Sequence, residues 1–107
     1  MVRINKCIEL LQQKQVIFAT PALELTYECG LEMSQTWADL IQYDFEHLPF
    51  DTVGLYQFMK GLRDGGPTPS GHLTPTVITT LPSNCMTPEE VIYNAWQIRH
   101  VLSAGVH

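Results

Sequence analysis

Apolar residues recur along this chain in two rhythms, one of three to four residues and one nearly continuous over five or six, and their alternation predicts helices and strands in turn. Ile4, Cys7, Ile8, Leu10 and Leu11 share one side of a helix over residues 4–13. Val16-Ile17-Phe18-Ala19-Thr20 is a short apolar run stopped by Pro21, the pattern of a strand buried on both faces. Leu25, Cys29, Leu31 and Met33 give a weaker helical pattern over residues 24–36, interrupted by Gly30. Residues 38–44 then read as a second strand whose end is polar: carboxylates, an imidazole and Pro49 follow.

Asp51 is placed to cap a helix whose apolar face is Val53, Leu55, Phe58, Met59 and Leu62, and which stops at Gly65-Gly66. Pro67-Thr68-Pro69-Ser70-Gly71 makes a loop, and the β-branched run Thr76–Leu81 predicts a third strand closed by Pro82. Thr87-Pro88-Glu89-Glu90 joins an N-cap, a proline at the first helical position and a capping-box glutamate. Val91, Ile92, Ala95, Ile98, Val101 and Leu102 form the expected buried face of that last helix, which ends near Gly105 and leaves Val106-His107 as the start of a further element.

Strands alternating with helices imply βαβ units and a parallel sheet, an α/β fold. Three parallel strands with both edges unpaired make a marginal object. The expectation is therefore that residues 1–107 are a single, incomplete domain, the amino-terminal part of a (β/α)8 TIM barrel: a leading helix followed by about three β/α units. Length agrees, since 107 residues supply one core. The residues are 45% apolar and only 16% charged, so some apolar surface is expected to meet a partner, most simply a second copy in a homo-oligomer. The net charge is −5 and the six basic residues are scattered, which argues against nucleic acid. No stretch approaches the roughly 20 apolar residues of a spanning helix, so no membrane role and a cytoplasmic location are expected. Cys7, Cys29 and Cys85 match no metal or disulfide spacing and are read as reduced thiols.

In parallel α/β folds, functional groups collect where strands end, because the carboxyl edge is open and its side chains converge. Asp44, Glu46 and His47 lie at such an edge. A histidine titrates near neutrality and moves protons, and a nearby carboxylate can fix its tautomer. The same three groups could support a divalent cation, or simply face solvent. His72, in the proline-rich loop with Ser70, could approach this edge but is read as a solvated loop histidine, and His100 as a surface residue of the last helix. Gly65-Gly66-Pro67 is not a phosphate loop. Trp37, Phe58, Tyr93 and Trp96 are read as core or interface residues.

Arg3-Ile4-Asn5-Lys6, the Leu10-Leu11 helix, the strand ending near Pro21 and above all Tyr43-Asp44-Phe45-Glu46-His47-Leu48-Pro49-Phe50-Asp51 resemble the amino-terminal portion of the HpcH/HpaI aldolase and citrate lyase family, class II aldolases of 2-keto acids. The nonapeptide is similar to the family's aspartate-x-glutamate-histidine-x-proline signature. The resemblance implies a metal-dependent carbon–carbon lyase in which His47 is the general base and Asp44 and Glu46 are supporting carboxylates. It implies a divalent metal, magnesium, manganese or similar, with a small keto-acid substrate. The family's metal ligands would lie beyond His107, so no metal ligand is assigned here and the isolated chain is expected to be inactive. Two positions depart from the family: Ile78-Thr79-Thr80-Leu81-Pro82 lacks the third-strand arginine, and Ser103 stands where an aspartate partner for the histidine is usual. The alternative is a non-catalytic α/β interaction or subunit module that keeps the scaffold.

Overall fold

The computed structural model describes residues 4–107, so Arg3, where the family resemblance begins, lies outside the described residues. Seven elements follow in order: α1 (Lys6–Gln12), β1 (Ala19–Pro21), α2 (Tyr27–Met33), β2 (Leu40–Tyr43), α3 (Thr52–Gly65), β3 (Thr76–Thr79) and α4 (Pro88–Ala104). The three strands are parallel and adjacent in chain order, β1-β2-β3, so a mixed α/β fold with helical crossovers is observed. None of the described helices is long and apolar enough to cross a membrane.

Caps set the helix limits where the sequence offers them. Asn5, Thr26, Asp51 and Thr87 each accept a hydrogen bond from the backbone N–H three residues on. Glu90 departs from the expected capping box: its carboxylate accepts from the Met86 N–H at 2.6 Å, one residue before the cap. Gly105, with φ of 102°, ends α4 in the left-handed conformation that glycine adopts without strain.

Residues alternate between the two sheet faces, and the register puts Thr20, Ile41 and Val77 in one row and Pro21, Gln42 and Ile78 in the next, on the opposite face. The Ile41 and Val77 face is the core. It packs with Leu55, Phe58, Met59 and Leu62 of α3 and with Cys29 of α2. Each of those α3 side chains is fully buried, worth about 2 kcal/mol apiece relative to exposure. The Gln42 and Ile78 face stays open, except at its amino end, where the Cys7 N–H of α1 donates to Thr76 Oγ1. Gly30 does not interrupt α2. It is the point where α2 meets α3, since a Cβ there would overlap the Phe58 carbonyl and lie 3.0 Å from Gly61 Cα. α2 is shorter than its apolar pattern suggested, since 24–26 are irregular and the helix starts only after the Thr26 cap.

Two expectations of burial are corrected. The run 16–20 is not a strand covered on both faces: Val16 is 73% and Phe18 57% exposed, and the ladder begins only at Ala19. As an edge strand it also accommodates Pro21, whose missing N–H falls on the unpaired side, because Ala22 is the residue that donates to Gln42 O. On α4 only Gln97, Val101 and Ala104 are buried, while Val91, Ile92, Ile98 and Leu102 are exposed. The helix turns a narrow strip toward α3 and leaves its wider apolar face open. Ile8 and Leu11 of α1 are likewise exposed. After α4, His107 lies against the outer edge of β3, donating its N–H to Val77 O at 2.9 Å and accepting the Val77 N–H on Nδ1 at 3.0 Å.

Candidate functional site at the carboxyl edge

Asp44 follows β2 directly and falls on the open face with Leu40 and Gln42. Phe45 then turns the chain inward: its ring is 1% exposed and meets Tyr43 and Phe50 edge-on at 4.9 and 5.0 Å. With Phe45 anchored, Glu46 and His47 must curl back over Asp44. Asp44 Oδ1 accepts the N–H groups of Glu46 at 2.8 Å and His47 at 3.2 Å, a turn held by its own side chain. Asp44 Oδ2 meets His47 Nδ1 at 2.7 Å.

Thr80 completes the arrangement from the neighbouring strand. Its backbone N–H donates to Tyr43 O, carrying the β2–β3 ladder one step past the regular strands. Its hydroxyl donates to Asp44 Oδ1 at 2.7 Å and accepts the Glu46 N–H at 3.1 Å. Sequence reasoning did not assign Thr80 to the site. The available signal was its place one residue beyond Thr79, which pairs with Tyr43.

Four donors therefore converge on one carboxylate. The Thr80 hydroxyl, then His47 and the two backbone amides, hold the Asp44 carboxyl down at about 2. The hydrogen bond that His47 donates to Asp44, with the negative charges of Asp44 and Glu46, moves the His47 imidazole above its ordinary value. In the neutral ring Nδ1 carries the proton toward Asp44, which leaves Nε2 as a bare acceptor facing outward. Asp44 is thus the carboxylate partner of His47. Ser103 is not: it donates to Arg99 O on the exposed side of α4.

Beside this dyad, on the open face, a cavity of about 270 Å³ is lined by Ala19, Pro21, Gln42, Tyr43, Asp44 and Leu48 among others. Its walls are mostly apolar, with Gln42 and Asp44 as the groups able to orient a ligand.

Asp44, Glu46 and His47 bring one possible ligand atom each within 4.8 Å of one another. Their hydrogen bonding nevertheless fits a resident metal poorly. Asp44 Oδ1 accepts three hydrogen bonds and His47 Nδ1 is committed to Asp44 Oδ2, so a cation bound through Nδ1 would have to break the dyad. The cluster orients the His47 imidazole.

The other candidate histidines lie elsewhere. His72 is buried at the amino end of the sheet, bonded to Ser70 and Glu9, and is neither solvated nor near His47. His100 is an exposed residue of α4 whose ring packs on Trp96 at 5.6 Å. Phe58 is core, whereas Trp37 and Tyr93 are largely exposed. Cys7, Cys29 and Cys85 are free thiols.

The chain matches no protein-family model, no curated protein and no solved structure.

Proposed function

We propose that the carboxyl edge is the base-bearing wall of a carbon–carbon lyase acting on a 2-keto acid or related oxygenated acid, with His47 as general base and Asp44 holding its ring. The observation that carries this reading is the 2.7 Å contact between Asp44 Oδ2 and His47 Nδ1, which leaves Nε2 free while Asp44 itself lines a ligand-sized cavity. In cleavage, Nε2 would take the proton of the substrate hydroxyl as the carbon–carbon bond breaks, and the imidazolium formed would be stabilised by Asp44. Glu46 adds negative charge from the other side. A divalent cation, magnesium or manganese, is the cofactor this chemistry calls for, and groups other than Asp44 and His47 would hold it.

The finer fold assignment belongs to the same proposal: residues 4–107 are three successive units of a β/α barrel. Strand order equal to chain order, with α2, α3 and α4 on one face and an opposite face open beyond its α1-capped amino end, suits a barrel wall. Cytoplasmic location and assembly into a homo-oligomer are part of this reading.

The test is proton exchange, which needs the base and an enolisable acid. Pyruvate is incubated in D2O with the protein and added Mg²⁺ or Mn²⁺, and loss of its methyl protons is followed by NMR. Exchange above buffer that falls about 10²–10⁴-fold in His47→Ala supports the reading. An exchange rate left unchanged by His47→Ala overturns it. Complete cleavage is not expected of this chain alone.

A second reading, a non-catalytic interaction module, is favoured by one specific observation. The uncovered face of α4 presents Ile92, Tyr93 and Trp96 at 72%, 76% and 50% exposure.

A further inference from the structure

A second run of polar groups lies at the opposite, amino-terminal end of the sheet. His72 is 6% exposed, and both ring nitrogens are engaged: Nδ1 lies 2.9 Å from Ser70 Oγ, and Nε2 lies 3.0 Å from Glu9 Oε2 on α1. Thr68 Oγ1 accepts the His72 backbone N–H at 3.1 Å and lies 3.1 Å from Ser70 Oγ. Hydrogen accounting orders these contacts for a neutral ring. A carboxylate can only accept, so the ring proton sits on Nε2 and points at Glu9. Nδ1 is then bare and accepts from the Ser70 hydroxyl, while the Thr68 hydroxyl donates to Ser70 Oγ. The loop is fixed in this shape by Thr68 N–H to His72 O at 2.8 Å and Gly71 N–H to Thr68 O at 2.9 Å.

We propose that Ser70 is a nucleophilic serine that takes an acyl group from small activated esters, with His72 as its base and Glu9 as a positioning residue. Nucleophile, base and orienting carboxylate are each within hydrogen-bond reach, in the usual roles with the two ring nitrogens exchanged. The base is shielded from water while Ser70 itself is exposed, so a substrate can reach the hydroxyl. The space for it is a cavity of about 360 Å³ lined by Lys6, Trp37, Asp39, Ser70, His72 and Pro75 among others. Trp37 and the prolines offer an apolar wall for an acyl chain. Lys6, ion-paired with Asp39, is the cation of that lining available to a developing oxyanion.

The step balances within these groups. Ser70 Oγ bonds to the acyl carbon as its proton passes to His72 Nδ1. The ester C–O bond then breaks, and the leaving alkoxide takes that proton away as an alcohol. Water next attacks the acyl-serine, giving its proton to His72, and Ser70 is regenerated as the carboxylic acid leaves.

The probe is an alkyl phosphonyl fluoride, with which Ser70 Oγ forms an O–P bond as fluoride leaves; p-nitrophenyl acetate gives turnover. The expected result is one adduct per chain, located on Ser70 by peptide mass spectrometry, forming at least about 10²-fold faster than on the same chain unfolded in urea. That comparison needs no variant. Ser70→Ala removes the adduct, and His72→Asn slows it by a similar factor. Glu9→Gln lowers kcat for the acetate with KM unchanged, and Glu9→Asp restores part of the loss. An adduct elsewhere, no acceleration over the unfolded chain, or labelling indifferent to Glu9→Gln overturns the proposal.

Discussion

At the residue scale, Asp44 is what turns an exposed histidine into an oriented one. Its effect is measurable without substrate. In an NMR titration of the ring protons, His47 should titrate above its ordinary value of 6.5, and Asp44→Asn should bring it back down. The signs of the linkage differ for the two partners. The raised His47 contributes stability that is present below pH 6.5 and is lost as pH rises through its folded value. The depressed Asp44 contributes stability present above its ordinary 3.8 and lost as pH falls toward about 2. Thr80→Ala removes the strongest donor to Asp44, so it should raise the Asp44 value and loosen the His47 ring. A carboxyl carbon shift that titrates as before would contradict the role given to Thr80.

The position of Asp44, Glu46 and His47 at a strand end was legible in the sequence, because a strand followed by polar residues and Pro49 is a local pattern. Thr80, and the choice of Asp44 over Glu46 as the partner of the His47 ring, were not. The first depends on parallel register between two strands, and the second on Phe45 turning inward, neither of which a linear spacing encodes. Glu9 with His72 was hidden for the same reason, since the two sit 63 residues apart in the chain.

At the element scale, caps and periodicity made α3 and α4 readable, while a glycine misled. Gly30 in a helix looks like a defect until α3 is present. Its opposite number Gly61 faces α2 so closely that a Cβ would overlap Tyr27 O and lie 2.8 Å from Leu31 N. Gly61→Ala gains about 1 kcal/mol of helix propensity, but its methyl meets backbone that cannot step aside. Overpacking of this kind costs about 1–3 kcal/mol or more. A net loss is expected as a lower urea midpoint, and an unchanged or higher midpoint would mean the helices are not held at this distance. The burial of β1 and α4 was misread because an apolar run states only that a surface prefers cover. It does not state where the cover comes from.

At the scale of the whole molecule, those uncovered surfaces are the main fact. Val16 and Phe18 before β1 and Ile92, Tyr93 and Trp96 on α4 are exposed apolar groups that would favour association in water. Sedimentation velocity should detect a concentration-dependent dimer or larger species, and Trp96→Glu should shift it toward monomer by burying a charge in the contact. A monomer at all concentrations, or a variant that associates as before, removes α4 from the interface.

His107 gives the far side of the sheet a proton-controlled latch. Burial holds its imidazole below the ordinary value, so acidification first weakens the folded arrangement here. Once Nδ1 carries a proton it can no longer accept the Val77 N–H, and two donors face each other. The Val77 amide should therefore exchange with solvent deuterium faster as pH falls below the usual histidine range, ahead of the amides of α3. What is released is the Val77 N–H and C=O pair on the outer edge of β3. His107→Gln, which cannot be switched by protons, should remove that pH dependence of Val77 exchange.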